Sequence, residues 1–522
     1  MKSSPTPDGV TPAEALPVEP VPSKSSLSRA MILVTVSVCT MLYALTATII
    51  NVALPQLQGA LSATPEQIAW VVTLNVIATA VITPMTGWLV SRLGERPLLL
   101  WAIIGFAVST FLCATATSLE TLLLYRVAQG AFGAPIVPLS QSILLVNFTG
   151  KDRPMAQGFF GMTVVIGPAV GPALGGYFAE AHDWRWVFYS IVPLCLLAFI
   201  LVISFIRPVA REKSAKLDWT GFLALSFAII CLQLLVDRGE RLDWFSSREI
   251  LLYGCGAALG LYLFIVHTAT SDAPFLNPQL FKDRNFSVGL GLVFVYGMLN
   301  FTPITLLPPM LHNLKGYPDS LIGLLLAMRG LGMVVGFFTA GRLGWMDPRL
   351  TFFIGMVLNG ISGLMMASFN VNVPPETIAL AGVIQGMGSG LMWVPLVVMT
   401  FATLNEKFMP EGSSIFHLLR NFGTSIFISL SFMVVVRTAR INYAELAENI
   451  SPYKESLRYP GVSGAWNLDT VEGLSRIGDE VGRQAQMIGY DNAFVMYAIV
   501  CFASLPLLLL VRVKRPEKDN GR

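Results

Sequence analysis

Apolar runs of about 20 residues recur along nearly the whole chain, parted by short polar breaks. In lipid every backbone N–H and C=O must be satisfied within the protein, so only helices and closed barrels can span. Barrel strands would show ~10-residue alternating segments, and the runs do not alternate. The chain is 54% hydrophobic and 13% charged, which excludes a water-soluble domain. We read an all-α polytopic membrane protein in the lipid bilayer with fourteen transmembrane helices, at 30–54, 67–90, 98–118, 122–146, 157–179, 186–206, 218–236, 249–270, 287–311, 320–343, 351–370, 376–400, 412–436 and 493–513.

Lys and Arg near span ends collect on one side, among them Arg29, Arg92, Arg96, Arg153, Lys282, Arg284, Arg349 and Arg512. By the positive-inside rule that side, with both termini, is cytoplasmic. The net charge of +3 carries this topological signal and forms no patch suited to nucleic acid. Residues 1–28, rich in Pro and Ser, read as a disordered cytoplasmic tail. They do not read as a signal peptide, because the run that follows is long enough to span; 514–522 is a second cytoplasmic tail. The six cysteines all fall in spans without metal-ligand spacing and read as packing residues.

Two pairs of segments point to a duplication. "TGWLVSRLGERPLLL" (86–100) resembles "AGRLGWMDPRLTFF" (340–353), and "QGAFGAPIVPL" (129–139) resembles "QGMGSGLMWVPL" (385–396). The offsets nearly agree, 254 from Gly87 to Gly341 and 256 from Gln129 to Gln385. Two six-helix halves, 29–207 and 273–513, then flank a pair of inserted transmembrane helices at 208–272, and transporters built from such repeats bind cargo between them. The longest polar loop, 437–491, is extracytoplasmic and either a solvated connector or a docking surface.

"GWLVSRLGERP" (87–97) resembles the cytoplasmic loop signature of the major facilitator superfamily, with Gly87, Arg92 and Gly94 in place. "YRVAQGAFGAP" (125–135) is similar to that family's fourth-helix motif, with Arg126, Gln129 and Gly130 in register, and "GPAVGPALGGYF" (167–178) looks like the fifth-helix motif of its antiporters. With "TIINVALP", "FLNPQLFKDRNF" and "SSIFHLLRNFGTSI", the chain is similar to the fourteen-span drug:proton antiporter branch and its EmrB-type permeases. The resemblance implies the major facilitator fold, the proton gradient as energy source with no cofactor, and a bacterial inner-membrane location. It also implies a periplasmic adaptor, met by 437–491, and an outer-membrane channel. The loop departs from the family pattern in carrying Ser91 where an acid is usual and Glu95 where a base is usual, so any charge latch there must be built differently.

The glycines Gly167, Gly171, Gly175 and Gly176, with Pro172, suit close helix packing or a bend that serves a rocking motion. Thr46 stands where the family carries a first-helix acid. Thr46 and Asn51 offer hydrogen bonds but do not titrate. No span interior holds Asp or Glu; Asp218, Glu249 and Glu376 lie at edges. The interiors instead hold Arg126, Arg329 and Arg420, costly groups in lipid that cannot shed their protons. Each suits bonds to backbone carbonyls, but three without a carboxylate partner point to an anionic substrate. His417, three residues before Arg420 and on the same helical face, is a candidate proton carrier; Glu180 and Asp183 at the outer mouth, or a weak-acid cargo itself, are others. Trp393, Met392 and Phe416 are candidate lining.

The sequence therefore predicts an efflux permease for hydrophobic small molecules, with anions favoured, working by alternating access. An uncoupled or lipid/fatty-acid carrier and a non-transporting membrane sensor or scaffold are the alternatives. No nucleophile–base pair, phosphate loop or metal cluster suggests an enzyme.

Overall fold

The computed structural model describes residues 26–150, 152–208, 217–451, 466–468 and 470–512; the two expected tails therefore lie almost wholly outside the described residues. The helices are α1 (Ser26–Ala60), α2 (Pro65–Ile82), α3 (Thr86–Leu93), α4 (Glu95–Thr115), α5 (Leu119–Gly133), α6 (Ile136–Asn147), α7 (Asp152–Ala181), α8 (Arg185–Tyr189) and α9 (Ile191–Phe205). They continue with α10 (Trp219–Arg238), α11 (Arg248–Thr270), α12 (Gln279–Lys282), α13 (Arg284–Lys315), α14 (Asp319–Arg342), α15 (Pro348–Met366), α16 (Pro375–Thr400), α17 (Met409–Glu448) and α18 (Val471–Ala503). Among the described residues thirteen helical segments are long and apolar enough to cross a membrane. The 30-residue α7, at the expected fifth span, completes fourteen.

Most spans are longer than their apolar runs, because an end that leaves the lipid keeps its helical hydrogen bonds while its side chains turn polar. The first helix begins at Ser26, inside the expected tail. α17 runs twelve residues past the expected end of span thirteen, and α18 begins at Val471, far ahead of the expected start at 493. Much of the predicted loop 437–491 is thus a pair of helical extensions packed on one another, with Gly489 against the Val435 carbonyl. The expectation of span interiors without acids is corrected at the ends: Asp237, Glu411 and Asp491 all lie inside helices. Of the six cysteines, Cys255 is exposed and the other five are buried.

Each half has its own apolar core. One gathers Phe106, Phe160, Phe188 and Ile143; the other gathers Phe286, Phe352, Trp393 and Tyr497. The duplication is visible as geometry at one crossing. Gly130 of α5 lies against the Asn75 carbonyl of α2, and Gly386 of α16 lies against the Arg329 carbonyl of α14. These pairs stand at the offsets read from the sequence, and in each a Cβ would overlap a backbone oxygen. Only glycine permits that approach.

The inserted helix α10 wedges between the halves. Ile229 packs with Ala80 of α2 and Leu418 of α17, Thr73 Oγ1 donates to Asp237 at 2.6 Å, and Ser429 Oγ donates to the Val236 carbonyl at 2.6 Å. At the other end of the pair Asp218 caps α10 through the Gly221 N–H at 3.0 Å, takes the Phe275 N–H at 3.0 Å and meets His267 Nε2 of α11 at 2.8 Å.

The halves are sealed to each other on the face that bears the chain ends. Gly87 of α3 rests on Glu411 of α17, where a Cβ would come within 2.8 Å of the Glu411 Cβ. Its repeat mate Gly341, at the end of α14, rests on Met155 and Pro154 of α7, with 3.4 Å left for a Cβ. Gly158 of α7 adds a close approach to the Phe337 carbonyl, and Arg153 Nη1 donates to the Phe401 carbonyl at 3.4 Å. The seal uses reciprocal glycine packing at the two related loops.

Candidate functional site

The three arginines inside the spans, Arg126 and Arg329 buried and Arg420 half-buried, separate by what holds them. Arg126 lies 2% exposed in α5. Its Nε donates to the Val71 carbonyl of α2 at 3.0 Å and its Nη1 to Gln129 Oε1 at 2.5 Å, while Gln129 Nε2 donates to Thr110 Oγ1 at 2.7 Å. Arg329 makes the corresponding tie in the other half from the opposite helix. Its Nε donates to Gln385 Oε1 at 2.5 Å, and its Nη2 to the Asn300 carbonyl at 2.5 Å and to Asn300 Oδ1 at 3.0 Å. Gln385 Nε2 is in turn bonded to Asn359 and Tyr497. Both guanidiniums clamp repeat-related helix crossings with their charged donors, which are about twice as strong as neutral ones.

Arg420 differs. It sits in α17 eleven residues beyond Met409, about 16 Å along the axis and so close to mid-membrane depth. Its Nη2 donates to the neighbouring Asn421 Oδ1 at 3.1 Å. Its Cζ lies 5.7 Å from the Trp393 ring centroid, and its buried Nε has no hydrogen-bond partner. Trp393 of α16 stacks with Tyr296 of α13 at 5.1 Å and with Phe416 at 5.6 Å. His417 lies 6.1 Å from Trp393 and bonds through Nε2 to Gln141 Oε1 of α6, across the boundary between the halves. His417 Nδ1 and Gln141 Nε2 are buried without a partner. Polar groups so placed are costly unless the site is filled or wet.

Of the residues the sequence singled out, Trp393, Phe416, His417 and Arg420 come together here. Arg126 with Gln129, and Arg329, stand apart as clamps. Met392 is buried against Asn359 Nδ2 at 3.3 Å. Thr46 is 4% exposed and turns its hydroxyl back onto the Leu42 carbonyl at 2.8 Å, a local bond that leaves it nothing to donate to a cargo. The side chains of Asn51, Glu180 and Pro172, and the surroundings of Gly176, lie outside the described residues. Asp183 pairs with Arg185 at 2.9 Å. Gly167, Gly171 and Gly175 seat α7 on α1, with room for a Cβ limited to 2.8 Å from the Met41 carbonyl and 2.7 Å from the Ile49 carbonyl. Arg92 stacks over Trp88 at 5.4 Å, and Gly94 caps α3 at φ +87°, a conformation that suits glycine. Tyr296 and Gln141 were missed from sequence. A tyrosine in an apolar run reads as packing, and nothing along the chain relates Gln141 to a histidine 276 positions away.

Residues 36–426 match the model of the Major Facilitator Superfamily. The chain belongs to the major facilitator superfamily. It is 32% identical to the multidrug export protein EmrB of Haemophilus influenzae, with 93% of this chain and 96% of that protein aligned, and it is an EmrB-type multidrug efflux transporter of the membrane. The fatty acid resistance protein FarB of Neisseria gonorrhoeae is 29% identical over 91% of this chain and 94% of its own length. Among solved structures the proton:xylose symporter XylE superposes with a TM-score of 0.59 at 14% identity, covering 92% of this chain and 96% of that one, a likeness of fold.

Proposed function

We propose that the transporter exports hydrophobic anions across the bacterial inner membrane by alternating access, with Arg420 as the seat of the anionic group. The observation that carries this is the partner-free Nε of Arg420, buried beside an aromatic wall at the boundary of the halves. A carboxylate or sulfonate would supply the missing acceptor and neutralise the charge; the Tyr296–Trp393–Phe416 wall would take the apolar tail. A relative named for fatty acid resistance supports the same class of cargo.

In this reading the face that bears both termini is cytoplasmic, as its Lys and Arg content suggests, and the glycine seal is the inner gate in its closed position. His417, bonded across the boundary to Gln141, is the titratable group placed to couple a proton to the opening of that gate. The helical extensions of α17 and α18 carry exposed Ile441, Tyr443 and Leu474, apolar surface suited to a periplasmic adaptor that would connect to an outer-membrane channel.

The test is accumulation of a labelled long-chain carboxylate and of a neutral amide of the same chain in cells carrying the native protein or Arg420→Gln. The proposal requires the variant to lose at least tenfold in carboxylate export while amide export changes little. Equal losses would reduce Arg420 to a structural residue.

A further inference from the structure

The surface on which the two halves close is left with unpaired polar groups. Thr86 Oγ1, Gln141 Nε2, both polar side-chain atoms of Gln157, Ser413 Oγ and His417 Nδ1 are buried without a hydrogen-bond partner among the described residues. Each of these residues belongs to the seal or its edge. Thr86 directly precedes Gly87, which rests on Glu411, and Ser413 lies just past Glu411 on α17. Gln141 and His417 meet across the boundary. Gln157 stands one turn beyond Arg153, which reaches the Phe401 carbonyl of the other half, and beside Gly158, which approaches the Phe337 carbonyl. Thr86, Gln141, Gln157 and Ser413 are fully buried. Native interiors hold few such groups, and each weighs against the state that buries it by about fivefold or more.

We propose that the unpaired polar groups of Thr86, Gln141, Gln157, Ser413 and His417 make the closed inner gate a high-energy state, a spring that returns the empty transporter to face the cytoplasm. This rests on the reading of the glycine seal as that gate. When the halves part on this face the same side chains meet water, and the penalty is relieved. Arg126 and Arg329 feel no such change, because their bonds lie within their own halves. Close glycine packing holds the gate shut and the stranded polar groups push it open, so the balance between the two states stays small enough for bound cargo and a proton to tip. The spring sets the resting orientation and the rate of return; it does not supply the force that drives export.

The experiment uses the full chain, without cargo, in liposomes. Cys255, the exposed cysteine, is changed to Ser, and spin labels are placed through Ser91→Cys and Ala402→Cys, exposed positions of the two halves on the sealed face. Electron paramagnetic resonance distances between the labels report the open and closed populations. The native pair should show mainly the longer distance. Gln157→Met with Ser413→Ala should enrich the shorter one at least tenfold and keep or raise the melting temperature, since apolar groups of similar shape remove the penalty. Ser37→Ala, which removes an equally unpartnered hydroxyl from α1 inside one half, should leave the two populations as they were. Two populations whose ratio is unmoved in the double variant, or moved toward the open form, would show that these groups are satisfied at the closed gate and overturn the proposal. A single distance shared by the native protein, the double variant and Gly87→Val overturns instead the reading of the seal as a moving gate.

Discussion

Replacing Arg329 and Arg420 separately by Met should give opposite outcomes, although both arginines lie inside spans of the same half. Arg329 makes three hydrogen bonds, and its loss strands the buried Gln385 amide and the Asn300 carbonyl. Side-chain hydrogen bonds in membrane proteins contribute about 0.6 kcal/mol each on average and up to about 1.7, so the three together hold roughly 2–5 kcal/mol. Arg420 makes one bond to its chain neighbour and one ring contact, about 1–2 kcal/mol in total. The cost of a mid-span arginine, about 2.5–3.5 kcal/mol, is relieved by both substitutions and cancels between them. Arg329→Met should therefore be about 1–3 kcal/mol less stable than Arg420→Met. Thermal melts of the purified variants in detergent, followed by tryptophan fluorescence, report the order; anion transport per folded molecule should fall at least tenfold only for Arg420→Met. An Arg420 variant that melts as early as the Arg329 variant would refute the division into clamps and seat.

Gly386→Ala should lower the melting temperature sharply because its Cβ meets the Arg329 carbonyl, a backbone atom that cannot step aside, whereas Gly323→Ala, with open space at its Cβ, should not. Gly87→Val should loosen the seal on Glu411 and raise the labelling of a cysteine introduced nearby, such as at Ser413, by a water-soluble maleimide. Asp218 gives a pH signature: burial pushes its carboxyl up, but the bonds from Gly221, His267 and Phe275 outweigh that and hold it below the usual range. A lowered folded value means stability is present above the ordinary carboxylate pKa and is lost as pH falls through the lowered one. The melting gap between the native protein and Asp218→Asn should thus be present at about pH 5 and close below about pH 4. Under the proposed docking of a periplasmic adaptor on the helical extensions, Ile441→Asp with Leu474→Asp should abolish co-purification with that adaptor and leave transport in liposomes intact.

Helix number and the repeat were legible because both are written in one dimension, as apolar length and as a shared offset. The offset even located the Gly130 and Gly386 crossings, since close backbone approach demands glycine locally. Helix ends were less legible: Glu411 and Asp491 belong to helices that outrun their apolar runs. The site was half legible. An arginine in an apolar run announces a cost, but whether Asn300 and Gln385 meet that cost, as for Arg329, or little does, as for Arg420, depends on residues from other helices. The inter-half bond of His417 to Gln141 belongs to the same class of long-range fact. The glycine seal was hidden for another reason, since its loop departs from the charge pattern by which such loops are recognised.

The most direct test of the anion seat is equilibrium binding to the purified protein of a matched pair, dodecyl sulfonate and dodecyl trimethylammonium, measured by calorimetry below their micelle concentrations. Tight binding of the sulfonate, weak binding of the ammonium and loss of sulfonate binding in Arg420→Gln are predicted. Preference for the ammonium, or sulfonate binding untouched by Arg420→Gln, would contradict the account.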